Sequence, residues 1–82
     1  MWFAYALHTS DRLRIYIGIS QNPDERLKMH NLGRVVSTSA YRPWIRFYLE
    51  QLSDDAAQAR KREKYLKGAS GRRMLKKMIT DK

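Results

Sequence analysis

The sequence predicts one small α+β domain, residues 1–82, in the element order β-β-α-β-α-α. Three observations carry that prediction. Two short apolar segments, WFAYAL and RIYIGIS, flank a turn-forming HTSDRL near the N-terminus. NPDERLKMHNLG then carries the start and stop signals of a helix. A third strand-like run, WIRFYLE, is followed by helical spacing up to residue 80. A strand pair, a helix, a further strand and two helices suit an α+β layering around one core.

Residues 2 to 7 and 14 to 20 read as strands, the second because Ile15, Ile17 and Ile19 alternate with Arg14, Tyr16 and Gly18. Thr9, Ser10 and Asp11 favour a turn through local side-chain to backbone hydrogen bonds. A turn centred on Ser10 and Asp11 sets Tyr5 opposite Tyr16 and Phe3 opposite Gly18, with both phenols on one face. In the first helix Asn22 is the N-cap, Pro23 opens the first turn, Glu25 stands three residues after the cap and Gly33 ends it. Arg26 and His30, four apart, share one helical face, while Leu27 turns to a neighbouring stripe. Residues 33 to 43, GRVVSTSAYRP, have no sustained period and read as a loop flanked by Arg34 and Arg42.

Residues 44 to 50 form the third strand. Ser53, followed by Asp54 and Asp55, starts the second helix, whose positive N-terminal end suits the two acids. Ala56, Ala59, Glu63 and Leu66 make its inward stripe. GASG, residues 68 to 71, breaks the chain, and RRMLKKMIT forms a last helix that sets Met74, Leu75, Met78 and Ile79 against the body. The 43% apolar content and nine aromatics supply a core, although a domain of 82 residues buries only roughly 60% of its surface. There is no cysteine, so packing must hold the domain without disulfides or thiolate metal sites. The chain lacks both a basic, apolar leader pattern and the roughly 18 apolar residues of a membrane span, so a soluble, cytoplasmic protein is expected.

Charge points to a polyanion. Seventeen Lys and Arg against eight Asp and Glu give a formal +9, a density that binds nucleic acid through phosphate contacts and counterion release. A well-solvated surface or an anionic membrane is the alternative, disfavoured because no segment has the continuous basic amphipathic pattern of an interfacial helix. Within the densest basic run, ARKREKYLKG, the one acid is Glu63, and it falls on the inward stripe. A carboxylate on a mostly buried face needs a cation, either a metal or an ion pair with Arg26 or Lys67. Arg60, Lys61, Arg62, Lys64 and Lys67 point elsewhere around the helix, toward phosphates or solvent. On pattern alone Tyr5 and Tyr16 can be packing residues, His30 a structural histidine, His8 an exposed turn residue and Arg26 a surface charge.

The tyrosine in FAYAL, then Tyr16-Ile17-Gly18, then R-x-x-x-H-N from Arg26 to Asn31, then Arg42-Pro43-Trp44, then REKYLK from Arg62 to Lys67, resemble together the GIY-YIG nuclease domain. The chain is most similar to small, stand-alone bacterial members, and the resemblance runs from Trp2 to Ile79. It implies a three-stranded antiparallel sheet flanked by helices. It also implies a metal-dependent endonuclease acting on DNA with low sequence specificity, and a single Mg2+ or Mn2+ ion held by Glu63. Tyr5 and Tyr16 are then placed beside the scissile phosphate, Arg26 on that phosphate and His30 near the centre. Gly18 is expected to let the backbone phosphate approach the strand, and Arg34, Arg42, Arg60, Lys64 and Lys67 to line the DNA-binding surface.

Phe3 and Ala4 depart from the name-giving Gly and Ile, and Ile19 and Ser20 follow the second motif where some members place a lysine. No DNA-targeting domain is appended, so selectivity falls to the basic face or to a protein partner. The alternative is a nucleic-acid-binding module on the same scaffold with little catalysis, acting with a repair or recombination partner. An inward acid that repels phosphate argues for the enzyme.

Overall fold

In the computed structural model, which describes residues 1–80, strand β1 (Phe3–Thr9) is apolar nearly throughout and becomes the central strand of an antiparallel sheet. It pairs with β2 (Ile15–Ser20) on one side and β3 (Trp44–Gln51) on the other, in the order β2-β1-β3. Its two faces serve different cores. Ala4 and Ala6 pack with Ile17, Phe47, Leu66, Leu75 and Ile79 beneath α2 (Ala56–Lys67) and α3 (Ala69–Thr80). On the opposite face Tyr5 and Leu7 pack with Trp44, Tyr16 and Leu27, the last from α1 (Pro23–Asn31). Sheet and helices thus follow the predicted order, with α1 on one face and the α2–α3 pair on the other.

The hairpin register differs from the expected one. Tyr5 lies opposite Gly18, Leu7 opposite Tyr16 and Phe3 opposite Ser20. The loop is longer than a turn on Ser10 and Asp11: the Thr9 amide bonds the Arg14 carbonyl, Arg12 takes a positive φ of 63°, and Asp11 Oδ1 accepts from Thr9 Oγ1 and the Leu13 amide. Because the shift is even, side chains keep their faces, and Tyr5 and Tyr16 still share one. A bulge in β3 leaves Phe47 between the partners of Ala6 and Leu7. The extra residue changes which side chains face where, so Trp44 joins the α1 side while Phe47 and Tyr48 join the other core.

Helix α1 is capped as expected. The Asn22 side chain accepts from the Glu25 amide, and Gly33, at φ 78°, closes the far end while the Gly33 and Arg34 amides bond His30 and Met29 carbonyls. Residues 33 to 43 are largely irregular, as read, but contain a short 3-10 turn, Ser39–Tyr41, and a buried Thr38. The cap of α2 is Asp55, not Ser53: Asp55 Oδ1 accepts from the Ala57 amide, and Ser53 Oγ accepts from the Asp55 amide. His8, expected in a turn and exposed, is a buried β1 residue that packs on Phe47 at 5.3 Å.

Only Gly68 separates α2 from α3; the predicted four-residue break is wrong because Ala69, Ser70 and Gly71 already belong to α3. Leu75, Met78 and Ile79 pack inward, whereas Met74 is largely exposed. At Gly71 the backbones of the two helices come close. A Cβ there would stand 2.4 Å from Leu66 Cα and 2.5 Å from the Tyr65 carbonyl oxygen, backbone atoms that cannot swing aside. Gly71→Ala is therefore expected to destabilise the domain by about 1–3 kcal/mol, lowering Tm by roughly 5–15 °C. An unchanged melting curve would show that the helices separate freely.

Candidate active site

The site forms where α1 crosses the face of β1 and β2. Asn31 fixes that crossing, since its side chain donates to the Trp44 carbonyl at 3.1 Å and accepts from the Trp44 amide at 2.6 Å. The Trp44 indole donates to the Thr38 carbonyl at 2.9 Å, which ties the irregular segment to the same corner. His30, the last residue but one of α1, is thereby carried under the sheet and is fully buried.

Tyr5, 1% exposed, meets His30 across the interface, with its Oη 3.0 Å from His30 Nε2. His30 Nδ1 lies 2.8 Å from Thr38 Oγ1, which in turn reaches the Val35 carbonyl at 3.3 Å. One proton arrangement satisfies every atom: Thr38 donates to Val35, Nδ1–H donates to Thr38, and the Tyr5 hydroxyl donates to Nε2. His30 is then neutral. Burial first, and the neighbouring Arg26 charge second, hold its pKa below the usual value and keep it so. Tyr16 completes the cluster, 4.7 Å from the His30 ring and 6.2 Å from that of Tyr5.

The Tyr5 phenol is pushed up to about 12, mainly by burial. Arg26 opposes that shift through hydrogen bonding and charge, while the Tyr16 charge and, least, that of Glu63 add to it. Arg26 is half-buried and makes no ion pair among the described residues. A cation so placed, beside the Tyr5 phenol and with no paired acid, is suited to an anion.

Gly18 is explained by the phenols themselves. A Cβ at this position would stand 2.7 Å from Tyr5 Oη and 3.2 Å from Tyr16 Cε2, so the missing side chain is the space the Tyr5 ring occupies. Glu63 is half-buried at 25% side-chain exposure, on the stripe with Ala59 and Leu66 as the spacing predicts. Its direct partner is Lys67, at 3.3 Å, one of the two ion pairs left open by the sequence; the Arg26 pair does not form. Helical geometry puts Glu63 between that buried stripe and the exposed Arg60, Lys64 and Lys67, which line one face.

Arg62, expected to meet phosphate or solvent, is instead partnered within the fold and only partly exposed. It donates to Glu50 at 3.0 Å, Glu50 also accepts from the Tyr48 hydroxyl, and the Arg62 guanidinium lies 5.0 Å from the Tyr65 ring. Arg34 and Arg42 are exposed, and the Arg42 guanidinium lies over Gly33, so these two sit at the end of α1 and not in the tyrosine cluster. Sequence reasoning missed Thr38, Asn31 and the Glu50–Arg62 link. Asn31 had a signal in its place beside His30; Thr38, in a stretch without period, had none.

The His30 pKa sets a pH dependence. Unfolded histidine takes up a proton below about 6.5, whereas folded His30 resists until lower pH. Its contribution to stability is therefore complete above that unfolded value and is lost as pH falls through the folded one. Denaturant melts at pH ~7.5 and ~5.5 are expected to show weaker folding at the lower pH, and His30→Gln to remove part of that difference. An identical pH slope in the variant would contradict the buried, neutral state of the ring.

Among the described residues no three His, Cys, Asp or Glu side chains come together as a metal cage, and no helix is long and apolar enough to cross a membrane. Comparison with the curated proteins and with the solved structures gave no match. The sequence model of one family, described as the GIY-YIG catalytic domain, matches residues 1–77.

Proposed function

The chain belongs to the GIY-YIG catalytic-domain family, a nuclease-family fold that implies a nucleic-acid partner, and from that premise we propose a metal-dependent endonuclease. Its substrate in this reading is DNA, cut by phosphodiester hydrolysis with low intrinsic sequence specificity. The observation that carries the reading is the joining of Tyr5, Tyr16, Arg26 and His30 in one corner, with Glu63 at its margin and a row of basic residues beyond. A binding module has no use for a half-buried acid among phosphate-binding cations.

The donor set fits one hard divalent cation. Mg2+ or Mn2+ keeps most of its waters and takes one or two protein carboxylates, with phosphate oxygens completing the shell. Glu63, alone and within reach of solvent, is the residue that would hold it, exchanging Lys67 for the ion. Such an ion supplies polarisation of the phosphate and stabilisation of the leaving oxygen.

The other steps belong to the chain. Arg26 meets the phosphate oxygens and offsets the charge that builds in the transition state. Tyr5, a phenol protonated at neutral pH and held further from ionisation by burial, serves as a fixed donor to His30 and not as a base. Tyr16, only half-buried, is the phenol with access to a water and orients it for in-line attack. Gly18 keeps the Tyr5 ring seated. Arg60, Lys64 and Lys67 hold the flanking backbone by charge, a salt-sensitive contribution.

Wild-type protein is expected to nick supercoiled plasmid with Mg2+ or Mn2+ and not with chelator. One observation favours the second reading, a binding module serving a repair or recombination partner: Glu63 already has a partner in Lys67. DNA binding without nicking, across both metals and on branched or flapped substrates, would select it.

A further inference from the structure

We propose that the cavity beside Tyr16, bounded by Arg14, Tyr41 and Trp44, receives one unpaired nucleobase of the DNA next to the phosphate to be cut. This rests on the nuclease reading and supplies the substrate class that reading leaves open. The cavity measures about 160 Å3, and its lining includes Arg14, Tyr16, Ser37, Thr38, Tyr41 and Trp44. That is well below the roughly 300 Å3 at which drug-sized pockets begin, and it is the scale of a single ring system.

Its walls have the chemistry that stacks bases. The Arg14 guanidinium lies 3.8 Å from the Tyr41 ring centroid, a planar cation on an aromatic face, and Tyr41 remains 43% exposed. Aromatic rings and guanidinium planes hold bases by stacking whatever their sequence. Ser37 adds an exposed hydroxyl for a base edge, and among the described residues no acidic side chain lines the space. The inner walls are fixed in advance: Thr38 Oγ1 is engaged by His30 and Val35, and the Trp44 indole by the Thr38 carbonyl.

Position selects the ligand further. Tyr16 is a wall of both the cavity and the catalytic cluster, its ring 4.7 Å from His30 and 6.4 Å from Trp44. A phosphate held on the Tyr16 side of the cluster would carry its own nucleoside toward this space. A base inside a continuous duplex is held in the stack and cannot enter, and leaving the stack costs least where the base is already unpaired. The cavity therefore favours flaps, bulges and single-stranded junctions over intact duplex, without reading their sequence.

The test is binding measured in chelator, so it does not depend on cleavage. Two otherwise identical oligonucleotide duplexes are compared by anisotropy, one fully paired and one with a single unpaired 2-aminopurine. Wild type is expected to bind the second about tenfold more tightly, the size of one stacked base, and to quench the 2-aminopurine. Tyr41→Ala removes both effects and leaves affinity for the paired duplex unchanged, Tyr41→Phe keeps them, and an abasic site in place of the unpaired base abolishes the preference. Equal affinity for the two duplexes, or a Tyr41→Ala loss shared by both, overturns the base site while leaving the plasmid-nicking result untouched. Preference without nicking, in turn, would defeat the catalytic reading, and with it the cleavage role proposed here, and leave the cavity as the base site of a binding module.

Discussion

Glu63→Gln is expected to lose the proposed metal-dependent nicking of supercoiled plasmid by about 10²–10³-fold or more, the scale of removing a group that stabilises transition-state charge, while DNA affinity is expected to hold or rise. Both halves follow from where the residue sits. Its carboxylate is the one acid between the buried stripe of α2 and the row Arg60, Lys64 and Lys67, so neutralising it removes the candidate ion holder and a repulsion toward phosphate together. Folding is expected to change little, because the pair it makes with Lys67 is a partly exposed i,i+4 contact worth about 0.3–0.5 kcal/mol. An inactive variant with unchanged Tm separates chemistry from stability. Equal nicking by wild type and variant would remove Glu63 from the mechanism.

Arg26→Ala is expected to lower cleavage by a similar factor, about 10²–10³-fold, with only a severalfold loss of affinity. The asymmetry arises because Arg26 is one of many cations available to the backbone, yet a half-buried one beside the Tyr5 phenol and without a carboxylate partner among the described residues. The same variant has a spectroscopic signature. Arg26 pulls the Tyr5 phenol down against burial and helps hold His30 neutral, so its removal should move tyrosinate formation by Tyr5 to still higher pH and let His30 protonate more readily. Arg26→Lys restores the charge without the bidentate fork and should recover binding more fully than cleavage. A large affinity loss with cleavage per bound complex intact would make Arg26 a docking residue.

Sequence pattern carried the fold where short-range chemistry decides it. Alternation of Ile15, Ile17 and Ile19 fixed the faces of β2, and the Asn22 cap and Gly33 stop bounded α1 correctly. The same periodicity placed Glu63 on the inward stripe and Arg26 above His30, so the cluster itself was legible in outline. What stayed hidden depends on longer-range geometry. The hairpin register turned on Arg12 adopting a positive φ and on Asp11 tying up Thr9 and Leu13, neither of which a turn rule anticipates. The bulge at Phe47 re-aims Trp44, and Thr38 reaches His30 only because an irregular segment folds back under Trp44. The inward acid was read rightly, but its partner was not determined by burial: a half-exposed carboxylate is satisfied by Lys67 as readily as by an ion.

Whether that lysine gives way is the point to measure. Crystals of the protein with Mn2+ and a DNA oligonucleotide, examined for anomalous density, should show one peak bonded to the Glu63 carboxylate and to a phosphate oxygen, on the side of Tyr5 and Tyr16. Lys67 should be released, and the peak should vanish in Glu63→Gln. Density only on phosphates away from residue 63, with the Lys67 pair intact, would contradict a cleavage centre built on this acid.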